Sequence, residues 1–199
     1  MHYIHRAGSN RNLMILLHGT GGDAGSLFEL AGYIDPEASL IGIEGNISER
    51  GLKRYFARYA DGSFDLDSLA EETATLKQTI DSLRTKYGSE DSRIILLGYS
   101  NGANIAVNLL REYETDYDLA LLLHPSAGRA EVPFRKQDKL RVLITSGMND
   151  PFIHKDEFLA LEALMMDAGI HTQTFVHSQG HSLTQAELHH AQRAVRELK

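Results

Sequence analysis

Ser100, Asp150 and His181 are three side chains whose types, order and settings suit one shared chemistry. Ser100 lies in Gly98-Tyr99-Ser100-Asn101-Gly102, after the apolar run Arg93 to Tyr99 and before the helical pattern Ala103 to Tyr113. The pentapeptide fits G-x-S-x-G, which sets a serine on a sharp strand-to-helix turn. Such a turn strains the backbone at the serine, and the flanking glycines remove Cβ atoms that would clash where strand and helix converge. The hydroxyl is pushed into the open, and the helix N-terminus aims amides and the positive end of its dipole at it. A serine hydroxyl is a poor nucleophile at neutral pH, so it needs a base beside it and a group to orient that base.

Asp150 and His181 fill those places. Asp150 stands in Gly147-Met148-Asn149-Asp150-Pro151, after the run Arg141 to Thr145, and His181 in Gln179-Gly180-His181-Ser182, after the run Thr172 to Val176. Asn149-Asp150-Pro151 is also turn chemistry whatever the function. Asp23 and Asp156 are competing carboxylates, but neither follows a strand so directly. His177 and His181 are four apart and His189-His190 follows, yet this spacing places two metal ligands on one face only within a helix, which Gly180 interrupts. No metal and no cofactor is expected. A further element is His18-Gly19-Thr20-Gly21-Gly22-Asp23, a glycine-rich loop after the run Leu13 to Leu17. It suits one backbone donor of an oxyanion hole, the amide of Asn101 supplying the other. As a phosphate loop it lacks a following Lys-Ser/Thr pair.

The elements that must position these groups are legible as short apolar runs alternating with helical patterns. Besides the runs above, Ser39 to Ile43 and Leu119 to Leu123 read as strands. Runs this continuous suit strands covered on both faces, as in a parallel sheet. Helical stripes recur at Leu69, Leu76, Ile80, Leu83 and Tyr87, at Ala103, Ala106, Val107 and Leu110, at Phe158, Leu161, Met165 and Ala168, and at Leu188, Ala191, Val195 and Leu198. Ser26/Glu29, Ser68/Glu71 and Ser182/Gln185 have capping-box spacing and predict helix starts. The expectation is an α/β fold with a mostly parallel central sheet, helices on both faces, and ligands bound beyond the carboxyl ends of the strands.

These motifs resemble the α/β-hydrolases, and within them the small carboxylesterase, lysophospholipase and acyl-protein thioesterase-like branch. The resemblance runs from about Leu13 to Leu198 and is anchored at residues 17–22, 98–102, 147–150 and 180–181. It implies a triad of Ser100, Asp150 and His181, with the amides of Thr20 and Asn101 as the oxyanion hole. Asn101 replaces the Gln or Met more usual after the serine. The implied activity is hydrolysis of small or medium carboxylic esters through an acyl-enzyme. An acyl-thioesterase, a lysophospholipase or a non-catalytic receptor on the same fold are the alternatives.

Length and composition bound the rest. The 199 residues suit one α/β-hydrolase domain over 1–199, and the absence of cysteine removes disulfides, thiolate metal sites and cysteine nucleophiles together. A formal charge of −7 argues against nucleic acid as a partner. Met1 to Arg6 lacks the apolar run of a secretory signal, and no segment reaches the roughly 18 apolar residues of a membrane span, so a cytoplasmic location is expected. The expected partner is a small-molecule ester or thioester, and a homodimer is left open. Pro125 to Leu140 is too short for a cap domain. The connection from Glu44 to Leu66, with Tyr55, Phe56, Tyr59 and Phe64 among Arg50, Lys53, Arg54 and Arg58, reads either as a pocket wall or as a surface helix. Leu27, Phe28, Met148 and Phe152 adjoin the candidate site by sequence.

Overall fold

The computed structural model describes residues 1–198. Its strands are β1 (Tyr3–Arg6), β2 (Asn12–Leu17), β3 (Ser39–Ile43), β4 (Ile47–Glu49), β5 (Leu52–Arg54), β6 (Arg93–Tyr99), β7 (Leu119–Leu123), β8 (Arg141–Gly147) and β9 (His171–His177). The helices are α1 (Phe28–Ile34), α2 (Leu66–Tyr87), α3 (Asn101–Glu112), α4 (Lys155–Asp167) and α5 (Gln185–Arg196). Seven strands form one sheet in the order β1-β3-β2-β6-β7-β8-β9, and β4 pairs with β5 as a separate hairpin. Neighbours in the large sheet run parallel, except β1, which lies antiparallel along β3.

Side chains of a strand point alternately to its two faces, so each strand feeds two cores. Leu13, Ile15 and Leu17 of β2 and Ile94 and Leu96 of β6 pack with Leu76 and Ile80 of α2, Ile105 and Leu109 of α3 and Leu161 of α4. Met14, Leu16, Ile95 and Leu97 pack on the other face with Ala31 and Ile34 of α1 and Ala191 and Val195 of α5. This is the two-sided burial that the continuous apolar runs imply. The run ending at Val176 is the exception: β9 closes one edge of the sheet and most of its side chains are exposed. Among the described residues, no helix is long and apolar enough to cross a membrane.

The structure moves each predicted helix start. The α1 N-cap is Leu27, with no side-chain cap; α2 is capped by Asp65, whose carboxylate accepts the Ser68 amide; α5 carries a capping box built from Thr184 and Glu187. The last shift matters, because it turns Glu187 inward. Two elements were not apparent from hydropathy. The first is β1, whose residues alternate between half-buried and exposed, and the second is the β4–β5 hairpin. The connection 44–66 therefore contains no helix before Leu66, where α2 begins. It buries Tyr55 and Phe56 completely and leaves Tyr59 exposed. Pro125 to Leu140 holds neither helix nor strand.

The close approach of β2, β6 and α3 depends on glycine. A Cβ on Gly98 would lie 2.7 Å from Gly102 O, and one on Gly102 would lie 2.1 Å from Leu17 O, both inside contact distance. Gly102→Ala must therefore push α3 away from β2. We expect it to lower stability by about 3 kcal/mol, toward the upper end of the usual overpacking cost, seen as a lower urea midpoint at unchanged slope. An unchanged midpoint would show that the two elements are not held this closely.

Candidate active site

Ser100 sits where β6 turns into α3, with φ 53° and ψ −116°, a region that only glycine enters without strain. The turn is pinned on both sides: the Ser100 amide donates to Leu123 O at 2.9 Å, and Ser100 O accepts from the Asn104 amide at 2.9 Å. The hydroxyl is left facing a cleft, lined among others by Gly19, Thr20, Tyr99, Asn101, Phe152 and His181.

The structure brings the three sequence-predicted side chains together. The Ser100 hydroxyl donates to His181 Nε2 at 2.8 Å, and His181 Nδ1–H donates to Asp150 Oδ2 at 2.7 Å. The other carboxylate oxygen, Asp150 Oδ1, accepts the Phe152 amide at 2.9 Å, which fixes the plane of the carboxylate. Two aromatic groups hold His181. Tyr99 donates its hydroxyl to His181 O at 2.6 Å, and the Phe152 ring stands edge-on to the imidazole at a centroid distance of 5.0 Å. Asp23 is occupied by the Ser26 hydroxyl and the Gly25 amide, and Asp156 is exposed in the first turn of α4. Neither competes for His181.

The glycine-rich loop is shaped by His18. Its Nδ1–H donates to Gly19 O at 2.6 Å while Nε2 accepts the Gly45 amide at 3.1 Å. A trans peptide points its C=O and N–H in opposite directions, so holding Gly19 O turns the Thr20 amide away from His18. The Gly21 and Gly22 amides are taken by Lys53 O and Gly19 O, whereas no protein acceptor takes the Thr20 or Asn101 amide among the described residues. Asn101 opens α3, where the amides have no intrahelical partner. Its side chain is spent elsewhere, accepting the Tyr55 amide at 2.8 Å.

The cleft has a volume of about 980 Å³. The 44–66 connection supplies one flank through Arg54, Arg58 and Asp61, and Phe64 and Leu66 adjoin them. Of the apolar groups adjoining the site by sequence, only Phe152 lines the cleft; Leu27 and Phe28 pack in the opposite core, and Met148 points to solvent.

Behind the cleft lie groups that spacing did not single out. His124 follows β7 and Glu187 opens α5, and both side chains are wholly buried. His124 Nδ1–H donates to Asp150 Oδ2 at 2.8 Å, the same oxygen that holds His181, and His124 Nε2–H donates to Glu187 Oε1 at 3.0 Å. Glu187 also accepts from Thr145 Oγ1 and, through Oε2, from His177 Nε2 and the Thr184 amide and hydroxyl. The strand-end rule that located Asp150 applies equally to His124 and could have found it. Glu187 carried no such signal, because its inward turn depends on the α5 cap.

Burial opposes charge on Asp150, Glu187 and His124, and the hydrogen bonds overcome it. Asp150 would be raised by burial, but His124, the Phe152 amide and His181 hold it below the usual carboxylate range. Glu187 is held low in the same way by His124, Thr145 and the Thr184 backbone. Burial would discharge His124, yet Glu187 and Asp150 together raise it above an ordinary histidine. Carboxylates depressed on folding stabilise the protein above their unfolded-state value, about pH 4, and that stability is lost as pH falls through the folded-state values. Glu187→Gln should therefore flatten the loss of urea stability between about pH 5 and pH 3. A slope equal to that of the parent chain would show that Glu187 is not ionised.

Comparison with known proteins identifies the family. The Dienelactone hydrolase family matches residues 55–198. "Putative hydrolase MhqD" of Bacillus subtilis (strain 168) is 36% identical over 197 residues, covering 99% of this chain and 98% of its own. The crystal structure of the Bacillus cereus carboxylesterase superposes with a TM-score of 0.93 at 33% identity, covering 99% of this chain and 94% of the other. A carboxylesterase from Mesorhizobium loti superposes with a TM-score of 0.87 at 28% identity, covering 96% and 90%. With its sheet order, its serine turn and this match, the chain belongs to the dienelactone hydrolase family and is a carboxylic ester hydrolase.

Proposed function

We propose that the chain hydrolyses small or medium carboxylic esters by two-step acyl transfer, with Ser100 as nucleophile, His181 as base and Asp150 as orienter. The observation that carries this reading is the unbroken run of hydrogen bonds from Ser100 Oγ through His181 to Asp150 Oδ2, at 2.8 and 2.7 Å. His181 takes the hydroxyl proton as Ser100 Oγ attacks the ester carbonyl, and the tetrahedral adduct collapses as His181 returns the proton to the leaving alcohol. Water then attacks the acyl-enzyme by the same exchange, releasing the acid and restoring Ser100. The Thr20 and Asn101 amides bind the oxyanion, each worth about 3–4 kcal/mol by analogy with measured donors.

The lining supports the size class. Arg54, Arg58, Asp61 and Ser63 stand among Phe64, Leu66 and Phe152, so a long alkyl chain would lie against charged and hydroxyl groups as often as apolar ones. Arg54 on this flank is buried: its Nε lies 3.4 Å from Glu49 Oε2, and its Nη1 has no protein partner among the described residues.

A fluorophosphonate should label the native chain and leave Ser100→Ala unlabelled, and the same substitution should lower ester turnover by at least about 10⁴-fold. Label retained on Ser100→Ala, or turnover retained by it, would overturn the assignment. On p-nitrophenyl esters of graded length, kcat/KM should be highest for short and medium acyl groups. A rate that keeps rising into long acyl chains, or a preference for the matching thioesters, would replace the substrate class while leaving the triad in place.

A further inference from the structure

We infer that His124 is a positioning residue: a buried imidazolium that neutralises Glu187, aims Asp150 Oδ2, and sets the pH at which His181 loses its function as base. The inference rests on the triad reading above.

The hydrogen bonds count the protons. Both ring nitrogens of His124 face carboxylate oxygens, Asp150 Oδ2 at 2.8 Å and Glu187 Oε1 at 3.0 Å. A carboxylate can only accept, so both nitrogens must carry hydrogen and the ring is charged. His177 resolves differently. Its Nδ1 accepts the Gln179 amide at 3.1 Å, so the hydrogen is on Nε2, which donates to Glu187 Oε2 at 3.1 Å. His124 Nε2, His177 Nε2 and Glu187 also have the mutual spacing of metal ligands, 3.0–3.3 Å. A metal would need the Nε2 lone pair of His177, and the Gln179 amide already occupies the lone pair of the other nitrogen.

The backbone shows that His124 is held in place at a cost. Its φ is 54°, one of the few positive values outside glycine, and it precedes Pro125. A left-handed backbone is strained at any residue other than glycine, so surrounding contacts must over-determine it. The imidazole is what those contacts grip.

The charges that face His181 come from several elements. Asp150, after β8, bonds His181 directly; the His124 ring, after β7, stands against it with Glu187 of α5 on its other nitrogen; and Tyr99 on β6 packs its neutral ring against both imidazoles. Glu187 and Asp150 contribute two negative charges and His124 one positive, which leaves the single net negative charge that a base-orienting carboxylate supplies. The His124 and His181 ring centroids are 5.1 Å apart, close enough for one charge to bias the other's protonation. Without His124, Glu187 would add an unbalanced negative charge, and His181 would hold its proton to a higher pH.

The test reads charge and catalysis separately. In the native chain, nitrogen and proton NMR of the imidazoles should show both His124 ring nitrogens still protonated at pH 7, where an ordinary histidine has lost one proton. A ring that is singly protonated at pH 7, or one equivalent of zinc bound at these side chains on titration with the metal alone, would overturn the inference. In the ester assay, His124→Asn should move the acid limb of kcat/KM upward by about one pH unit. The double variant His124→Asn/Glu187→Gln removes one charge of each sign and should bring the limb back to within a few tenths of a unit. A merely structural His124 would lower the rate without moving the limb, and the double variant would not restore its position. Failure of the triad itself would show instead as turnover retained by Ser100→Ala.

Discussion

One oxygen atom organises this site. Asp150 Oδ2 accepts from His181 Nδ1 at 2.7 Å and from His124 Nδ1 at 2.8 Å, so two imidazoles that follow different strands meet on one oxygen, which has a lone pair for each. Fixing that atom fixes both rings. Its own position is fixed by the Phe152 amide on the other carboxylate oxygen and by the turn that follows β8. A shift of this turn would disturb the ring facing Ser100 and the ring buried behind it together.

A buried carboxylate tolerates such a role only if its charge is matched. Isolated ionised groups cannot be taken out of water without a large penalty, and full hydrogen bonding to counter-charged partners is what removes most of it. Asp150 and Glu187 are both wholly buried, and the His124 side chain between them bonds each. The remaining acceptor capacity of Glu187 is filled by Thr145, His177 and Thr184, which come from three different elements of the fold. The network therefore ties β7, β8, β9 and the start of α5 at the edge of the sheet where Ser100 lies.

The other half of the site is built by close backbone approach. Gly98 and Gly102 let α3 start against β2 and β6, which places the Asn101 amide beside the Ser100 hydroxyl. Gly147 plays the corresponding part between the turn after β8 and the loop bearing His181, since a Cβ there would lie 2.2 Å from Gly180 O. His18, wholly interior, uses both ring nitrogens on backbone groups and so orients the loop across the cleft. Steric permission at a few glycines and the fixed geometry of the peptide thus set where charge can be stabilised.

Much of this was legible in the sequence for a simple reason. Period-two burial on a two-sided sheet leaves continuous apolar runs, and a strand-end rule then points to Ser100, Asp150 and His181 as groups on one rim. Helix starts were harder, because Ser26, Ser68 and Ser182 fit the capping pattern, whereas α1 starts after Leu27 with no side-chain cap and α2 and α5 are capped by Asp65 and Thr184. The edge strand β1 and the β4–β5 hairpin have too little burial to mark a period. What the chain order could not state is which distant groups share an atom. That His124 and His181 divide one oxygen of Asp150, and that Glu187 lies buried behind them, follows from parallel strands ending in register and a helix cap turning one carboxylate inward. Local pattern determined the types and the rim; only packing in three dimensions decided the partners.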